Sequence, residues 1–329
     1  MERLRDRFGR TIEYLRLSVT DRCNLRCLYC MPALGCAWKP QRDILRYEEI
    51  LTIVHEMARL GVRKLRITGG EPLVRHDLVR FIDQVTRLPG VEEVALSTNG
   101  MLLERYAAAL KSAGLSRVNI SLDTLDAVKF TQVTRLGSLE TVLRGIRAAQ
   151  DAGLHPVKLN CVLLRGINDD EIDRFALLTM TQPLHVRFIE LMPLGSPGFF
   201  HPDRFLSVAE AKARCEAWGT LEPTDGLASS GPATTYRYRN ALGTIGFIGA
   251  LTCSFCDRCN RLRLTSDGWL RPCLDSRTGV NLRDPLRRGA SPEELEALIR
   301  QAVDMKPESH HMTLSMRQDE CETMCAVGG

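Results

Sequence analysis

Cys23-Asn24-Leu25-Arg26-Cys27-Leu28-Tyr29-Cys30 sets three thiols in a C-x3-C-x2-C run, directly after the apolar stretch Leu15–Val19. Three thiolates this close can hold three irons of a cubic [4Fe–4S] cluster, whose all-cysteine form takes four protein ligands. The fourth iron then stays open to a substrate or cofactor, which points to chemistry rather than scaffolding. A zinc site or three unrelated buried thiols are the alternatives, although zinc favours paired C-x2-C units and four ligands. Tyr29, between two of the thiols, is placed to pack against whatever the open iron binds.

Outward from this run, residues 15–191 repeat a strand-then-helix rhythm. Short apolar or alternating segments at 15–19, 64–68, 91–98, 117–122, 156–163 and 186–191 predict strands. Helical stretches near 47–60, 75–88, 102–113, 138–152 and 170–181 lie between them, with Glu48, Leu51, Val54, Met57 and Ala58 as the stripe of the first. Six strands alternating with helices read as a parallel sheet with crossover helices, in which reactive groups gather at the C-terminal strand ends. An open doubly wound sheet and a partial barrel both fit.

The rhythm breaks at the Gly/Pro loop 192–206. Beyond it a helix near 207–217, strands near 235–249 and 261–272, and a helix near 292–304 are predicted, the last opened by Ser291-Pro292-Glu293-Glu294. Residues 222–232, EPTDGLASSGP, read as a surface loop.

The chain has 329 residues, 44% of them hydrophobic and 26% charged, the composition of an ordinary folded protein with a sizeable core. No apolar run approaches the roughly 20 residues of a membrane helix. The start, MERLRDRFGR, is too charged for a signal peptide, so the expected location is cytoplasmic. In a reducing compartment, 12 cysteines argue for metal or redox use over disulfides. A net charge of +4 does not demand nucleic acid, and no basic–aromatic stripe supports it.

A second motif, Thr68-Gly69-Gly70-Glu71-Pro72, closes the second predicted strand. Its glycines let backbone approach a ligand closely, and its Glu can meet an amine, though Gly pairs often only make a turn. Together with the first triplet it resembles the radical S-adenosylmethionine (SAM) superfamily. The resemblance implies a partial (β/α)6 TIM-like barrel, with SAM chelating the open iron and cleaved to a 5′-deoxyadenosyl radical.

The third motif is FCDRCNRLRLTSDGWLRPCL, residues 255–274, with Cys256, Cys259 and Cys273 in a C-x2-C-x13-C spacing. Cys253 adds a fourth thiol, so a zinc ribbon and a ferredoxin-like run both remain open on spacing alone. The run resembles the C-terminal signature of the GTP 3′,8-cyclase family, the enzymes of the first step of molybdenum cofactor biosynthesis. Arg16-Leu17-Ser18-Val19-Thr20-Asp21-Arg22-Cys23-Asn24 is similar to that family's opening, and Gly328-Gly329 to its tail.

The resemblance implies a radical SAM barrel over residues 1–195. It also implies an α+β extension over 196–329 that carries a second cluster, a GTP site and the Gly-Gly tail. The two [4Fe–4S] clusters fall on Cys23, Cys27 and Cys30, and on Cys256, Cys259 and Cys273. SAM contacts fall on Tyr29, Gly70, Ser121 and Met192. GTP contacts fall on Arg16, Lys64, Arg66, Ser97, Lys158, Arg187, Arg261 and Arg263, with Thr98 equally placed for the role of Ser97. Catalytic roles fall on Arg16, Arg261, Arg263, Gly328 and Gly329.

The implied reaction converts GTP to (8S)-3′,8-cyclo-7,8-dihydro-GTP. The implied partners are a flavodoxin- or ferredoxin-type reductant and, downstream, the cyclic pyranopterin monophosphate synthase; a homodimer is left open. A radical SAM enzyme that modifies a peptide with an auxiliary cluster is the alternative.

The residues support the cationic site independently. Lys64/Arg66 and Arg261/Arg263 are i, i+2 pairs on predicted strands, so each pair faces one way, as a triphosphate would need. Two solvated edge faces are the bland reading. Cys36, Cys253, Cys321 and Cys325 fall outside both triplets and receive no role. Cys161 and Cys215 read as buried thiols, and His310-His311 as a capping or core pair.

Overall fold

The computed structural model describes residues 3–224, 231–315, 324 and 328. Gly329, Cys321, Cys325 and residues 225–230 of the predicted loop lie outside the described residues.

Six β–α repeats open the chain. The strands are β1 (Tyr14–Ser18), β2 (Lys64–Thr68), β3 (Glu93–Thr98), β4 (Arg117–Ser121), β5 (Val157–Leu163) and β6 (Leu184–Glu190). The helices are α1 (Tyr47–Arg59), α2 (Leu78–Thr86), α3 (Leu103–Ser112), α4 (Ala127–Thr134), α5 (Leu139–Asp151) and α6 (Ile172–Thr181).

Helix α1 begins where the Glu49 carboxylate accepts from the Arg46 N–H at 2.7 Å. It buries Ile50, Ile53, Val54 and Met57, while Glu48 is exposed, so the buried stripe is rotated from the one the sequence predicted. Helix α4 was not predicted. Its start is capped by Asp126, whose carboxylate accepts from Val128 and Lys129 N–H at 2.8 and 2.9 Å. Its short length and β-branched residues Val128, Thr131, Val133 and Thr134 hide it from periodicity.

The rest of the chain forms α7 (Val208–Glu216), β7 (Leu221–Pro223), β8 (Thr234–Tyr238), β9 (Thr244–Ile248), β10 (Arg261–Leu264), β11 (Trp269–Arg271), β12 (Val280–Asn281), α8 (Arg283–Arg287) and α9 (Pro292–Asp304). The late segments predicted to hold shorter strands, 235–249 and 261–272, are each a hairpin. Asn240, at φ 64°, lies between β8 and β9, and Gly268, at φ 90°, between β10 and β11.

All strands join one sheet, in the order β12-β11-β10-β1-β2-β3-β4-β5-β6-β9-β8-β7. β10 pairs parallel with β1, and β9 pairs parallel with β6. The six-stranded partial barrel is therefore extended at both edges by strands from the C-terminal part, a connection that sequence periodicity cannot specify.

One face of this sheet is apolar. Leu15, Leu17, Leu65, Ile67, Leu96, Val118, Ile120, Leu159, Val186 and Phe188 are buried in the main core with α1, α2, α3 and α5. The alternate positions are mostly polar, so the inner face does not read like the apolar filling usual for a closed barrel.

Candidate active site

Strand register collects the polar positions into rows. Arg263, Arg16, Arg66, Ala95 and Arg117 are successive partners across β10, β1, β2, β3 and β4. Arg261, Tyr14, Lys64 and Glu93 form the neighbouring row, and Ser97, Asn119, Lys158, His185 and Thr244 another. Parallel pairing keeps partners on one face, so every cation predicted for the triphosphate lies on the same side of the sheet. Thr98 lies on the other side, where its hydroxyl donates to Glu71 Oε1 at 2.8 Å; Ser97 is the residue on the cationic face.

The cations depress one another. Burial, with Arg66 and Arg117, brings Arg187 down to about 9. Burial, with Arg261, brings Arg263 down to about 10. Lys158 falls to about 6 through burial and the charges of Arg187, Arg117 and Arg66, and Arg16 is pushed well down by burial and Arg263. The Nη1 atom of Arg66 and the Nε and Nη2 atoms of Arg187 are buried with no hydrogen-bond partner among the described residues. Buried donors left this way call for an acceptor that binds. A cavity of ≈ 290 Å³ opens beside them, lined by Lys158, His185, Arg187, Thr235, Thr244 and Arg258 among others.

Residues that the sequence reading missed complete this face. Arg117 pairs with Glu93 on the adjacent strand. Tyr14 accepts from Arg66 Nε at 2.5 Å. Burial would raise its phenol, but Arg66 and Arg16 outweigh burial and bring it to about 8. Alternation was the available signal: Asn119 and Asn160 keep step with the named cations inside predicted strands, whereas Tyr14 and His185 lie just before the strands predicted at 15–19 and 186–191.

The first triplet lies on the loop after β1, at the C-terminal end of the parallel strands. Glycines from the segments after β2 and β6 shape its surroundings. A Cβ on Gly70 would stand 2.4 Å from the Arg22 carbonyl oxygen, and one on Gly195 would stand 2.2 Å from that of Tyr29. Leu25 N–H faces the Cys23 sulfur at 3.4 Å and Asn99 Nδ2 faces it at 3.8 Å, so donors already point at this thiol. Burial holds Cys23 up at about 11 and raises Cys27 as well, so metal binding would be what ionises them. Reduced thiols on a loop cradled by glycine backbone fit a cluster with an open position.

Tyr29 donates to Asp123 Oδ2 at 2.8 Å, tying the loop to the segment after β4, which ends at the exposed Ser121. The half-buried Met192 follows β6, and Ser196 N–H in the same loop donates to the Tyr29 carbonyl at 3.0 Å. Tyr29, Gly70, Ser121 and Met192 thus belong to segments that meet around one loop. Glu71 differs from expectation. It is fully buried, and its carboxylate accepts from Leu73 N–H at 3.1 Å, Asn99 N–H at 2.6 Å and Thr98. Its oxygens brace the strand ends and do not face out toward an amine.

The second triplet lies at the other end. Cys256 and Cys259 precede β10, which runs parallel to β1, and Cys273 follows the antiparallel β11. All three are therefore at the N-terminal end of β1, with the cationic rows between the two triplets. Burial alone would raise Cys259, but Arg261 and Lys306 bring it to about 7, which favours a thiolate ligand. Arg261 also lies over the Phe255 ring at 4.9 Å, close to this triplet.

Cys253 is exposed, Cys36 half-buried, and Cys161 and Cys215 buried. His310 Nδ1 accepts locally from Met312 N–H at 3.2 Å, and its Nε2 lies 2.7 Å from the distant Ala250 carbonyl oxygen. No helix among the described residues is long and apolar enough to cross a membrane.

Residues 17–179 match the family described as Radical SAM superfamily, and residues 184–312 match that described as Molybdenum Cofactor Synthesis C. The GTP 3′,8-cyclase of Pelotomaculum thermopropionicum is 50% identical over 99% of this chain and 100% of its own length. Those of Heliobacterium modesticaldum (50% identical; 98% and 99% covered) and Moorella thermoacetica (48%; 99% and 100%) are comparably similar.

Among solved structures, Streptococcus suis SuiB bound to S-adenosylmethionine shares the fold at a TM-score of 0.60 and 15% identity, over 92% of this chain and 77% of that one. Native anSMEcpe with bound AdoMet does so at 0.53 and 15%, over 87% and 84%. With its glycine-cradled cysteine loop, cationic sheet face and full-length identity to these enzymes, the chain belongs to the GTP 3′,8-cyclase family of radical SAM enzymes.

Proposed function

We propose that the protein converts GTP to (8S)-3′,8-cyclo-7,8-dihydro-GTP, the first step of molybdenum cofactor biosynthesis. The observation that carries this reading is the row of cations on one sheet face, set between two cysteine triplets at opposite strand ends. Such a face suits a polyanionic nucleotide better than a peptide, the alternative substrate class.

Cys23, Cys27 and Cys30 would hold the cluster that binds SAM, with Tyr29, Gly70, Ser121 and Met192 around it. With SAM bound, the reduced cluster would supply the radical chemistry that acts on the ribose. Cys256, Cys259 and Cys273 would hold a second [4Fe–4S] cluster at the guanine end. Lys64, Arg66, Lys158 and Arg187 neutralise the triphosphate, and Ser97 adds a hydroxyl on the same face. Arg16, Arg261, Arg263, Gly328 and Gly329 would act nearer the reacting atoms, and Arg263 already donates to the Gly328 carbonyl. The protein's contribution is placement and charge balance, holding C3′ and C8 of one nucleotide together while the cofactors do the redox work. A flavodoxin- or ferredoxin-type protein would supply electrons, and the cyclic pyranopterin monophosphate synthase would take the product.

Anaerobic incubation of the reconstituted protein with SAM, reductant and GTP tests the reading. The expected products are 5′-deoxyadenosine and a cyclised nucleotide; 5′-deoxyadenosine with GTP untouched would refute the substrate. About eight irons per chain are expected, falling to about four in Cys273→Ser, and zinc filling the second triplet would refute the two-cluster arrangement.

A further inference from the structure

The second triplet is assembled from two pieces of chain that the sheet does not hold together. Cys256 and Cys259 lie before β10, and Cys273 lies after β11. The ladder between these strands pairs Leu264 with Leu270 and Arg263 with Arg271, and stops before it reaches the cysteines.

Lys306, two residues beyond α9, spans the gap. It is buried, and its ammonium donates to the Arg261 carbonyl at 2.9 Å on one piece and to the Pro272 carbonyl at 2.8 Å on the other. Its remaining contact is the Cys259 sulfur at 3.5 Å. An ammonium has three protons to donate, and these acceptors match them.

A second cation locks the arrangement from outside. Arg10 is buried and paired through Nε with Asp6 at 2.6 Å. Its Nη1 donates to the Cys256 carbonyl at 2.6 Å and the Glu308 carbonyl at 2.9 Å, and its Nη2 donates to the Pro307 carbonyl at 2.6 Å. The N-terminal turn, the residues after α9 and both pieces of the triplet are joined through these two side chains.

We propose that Lys306, braced by Arg10, is the positioning residue of the second triplet: it holds the Cys256/Cys259 and Cys273 segments in one place and presents a positive charge and an N–H to the Cys259 sulfur. Among the described residues no carboxylate pairs with Lys306, and a buried ammonium is costly unless charge opposes it. Thiolates carrying iron supply that charge, and the ammonium in turn offsets theirs. A hydrogen bond and a positive charge at a ligand sulfur also stabilise the more negative, reduced form of a cluster, raising its reduction potential. This rests on the reading that the second triplet holds a cluster.

The test uses two full-length backgrounds, reconstituted anaerobically. Cys23→Ala/Cys27→Ala/Cys30→Ala keeps only the second triplet, and Cys256→Ala/Cys259→Ala/Cys273→Ala keeps only the first. Lys306→Met, similar in length and uncharged, is placed in each. In the first background, iron release to a chelator is expected to quicken about 10–100-fold, and the midpoint potential to become more negative. In the second background, release should not change. Unchanged release and potential in the first background would overturn the proposal, and so would equal acceleration in both, which would mark a general loss of folding. If the first background took up no iron before Lys306 was altered, the two-cluster reading itself would fall. Iron uptake with release indifferent to Lys306 would remove this inference alone.

Discussion

Arg263 donates from Nη1 to the Gly328 carbonyl at 3.1 Å, where Gly328 rests against Ser18 and Thr68 at the ends of β1 and β2. Gly328 is thus held by a β10 side chain against the end of β1, the strand that precedes the first triplet. Position 328 also has a physical reason to be glycine. Gly328 has φ 72°, and a Cβ there would stand 3.0 Å from Ser18 Cβ and 3.1 Å from Thr68 Cγ2.

Gly328→Ala should therefore displace the tail while leaving the first triplet alone. A side chain in the left-handed region costs about 1–2 kcal/mol, enough to slow a step that depends on this position about tenfold. GTP turnover is expected to fall while SAM affinity holds. Wild-type turnover in this variant would show that the contact is incidental.

Lys158 should take up a proton when GTP binds. Its ordinary value near 10.5 is lowered to about 6, so the ligand-free protein carries it largely neutral at pH 8. Phosphate beside it would restore the charge, with uptake of about one proton. Affinity should then weaken as pH rises from about 6 toward 8. Calorimetry in buffers of different ionisation enthalpy would read the proton directly; Lys158→Met should abolish the uptake, and a wild-type value of zero would refute the assignment.

The same substitution has an opposite effect on stability. A basic group whose folded value lies below its unfolded value binds fewer protons when folded, so it costs stability as pH falls toward its folded value. Lys158→Met should raise the ligand-free melting temperature at pH 6 and weaken GTP binding. A variant that melts lower and binds GTP normally would argue that Lys158 is structural.

Tyr14→Phe should act through Arg66. It removes the partner of Arg66 Nε, a loss of about 1–3 kcal/mol when a buried donor is left unsatisfied. The expected signature is a raised KM for GTP with kcat little changed. Because the Tyr14 phenol is lowered from 10.0 to about 8, its extra stability is present above pH 10 and is lost as pH falls through about 8. The stability gap between wild type and Tyr14→Phe should widen as pH rises from about 8 to 10, and a flat difference would remove the phenol from the cationic network.

Glu71→Gln should separate a brace from a ligand. Its carboxylate accepts from Leu73, Asn99 and Thr98, and burial raises it to about 7. Exchanging one carboxylate oxygen for an NH2 group turns an acceptor into a donor facing an N–H or hydroxyl, at about 1–3 kcal/mol. Lower thermal stability with SAM affinity altered only a few-fold is expected. A large loss of SAM binding at unchanged stability would restore the amine-binding reading.

Much of the site was legible because its residues follow local rules. The cysteine spacings stand in continuous runs, and cations recur two apart in β2 and β10, with Arg16 on β1 between those strands. Arg117 escaped notice because its partner Glu93 is on another strand. Glu71 was misread because its direction depends on Thr98 and Asn99, 27 and 28 residues away. Lys306 and Arg10 had no motif to mark them, since their partners are mostly backbone carbonyls from distant segments.

The sequence by itself determined the two triplets, the six β–α repeats and the charge of the inner strand faces. Each is written in spacing or period, where neighbouring residues constrain one another through a shared backbone geometry. Only the tertiary structure decided that β10 and β9 extend opposite edges of the six-stranded sheet, and so that the triplets face each other across one cationic surface. Strand partners are chosen by packing and hydrogen bonding between segments far apart in the chain, and a period of two is the same whichever neighbour a strand takes.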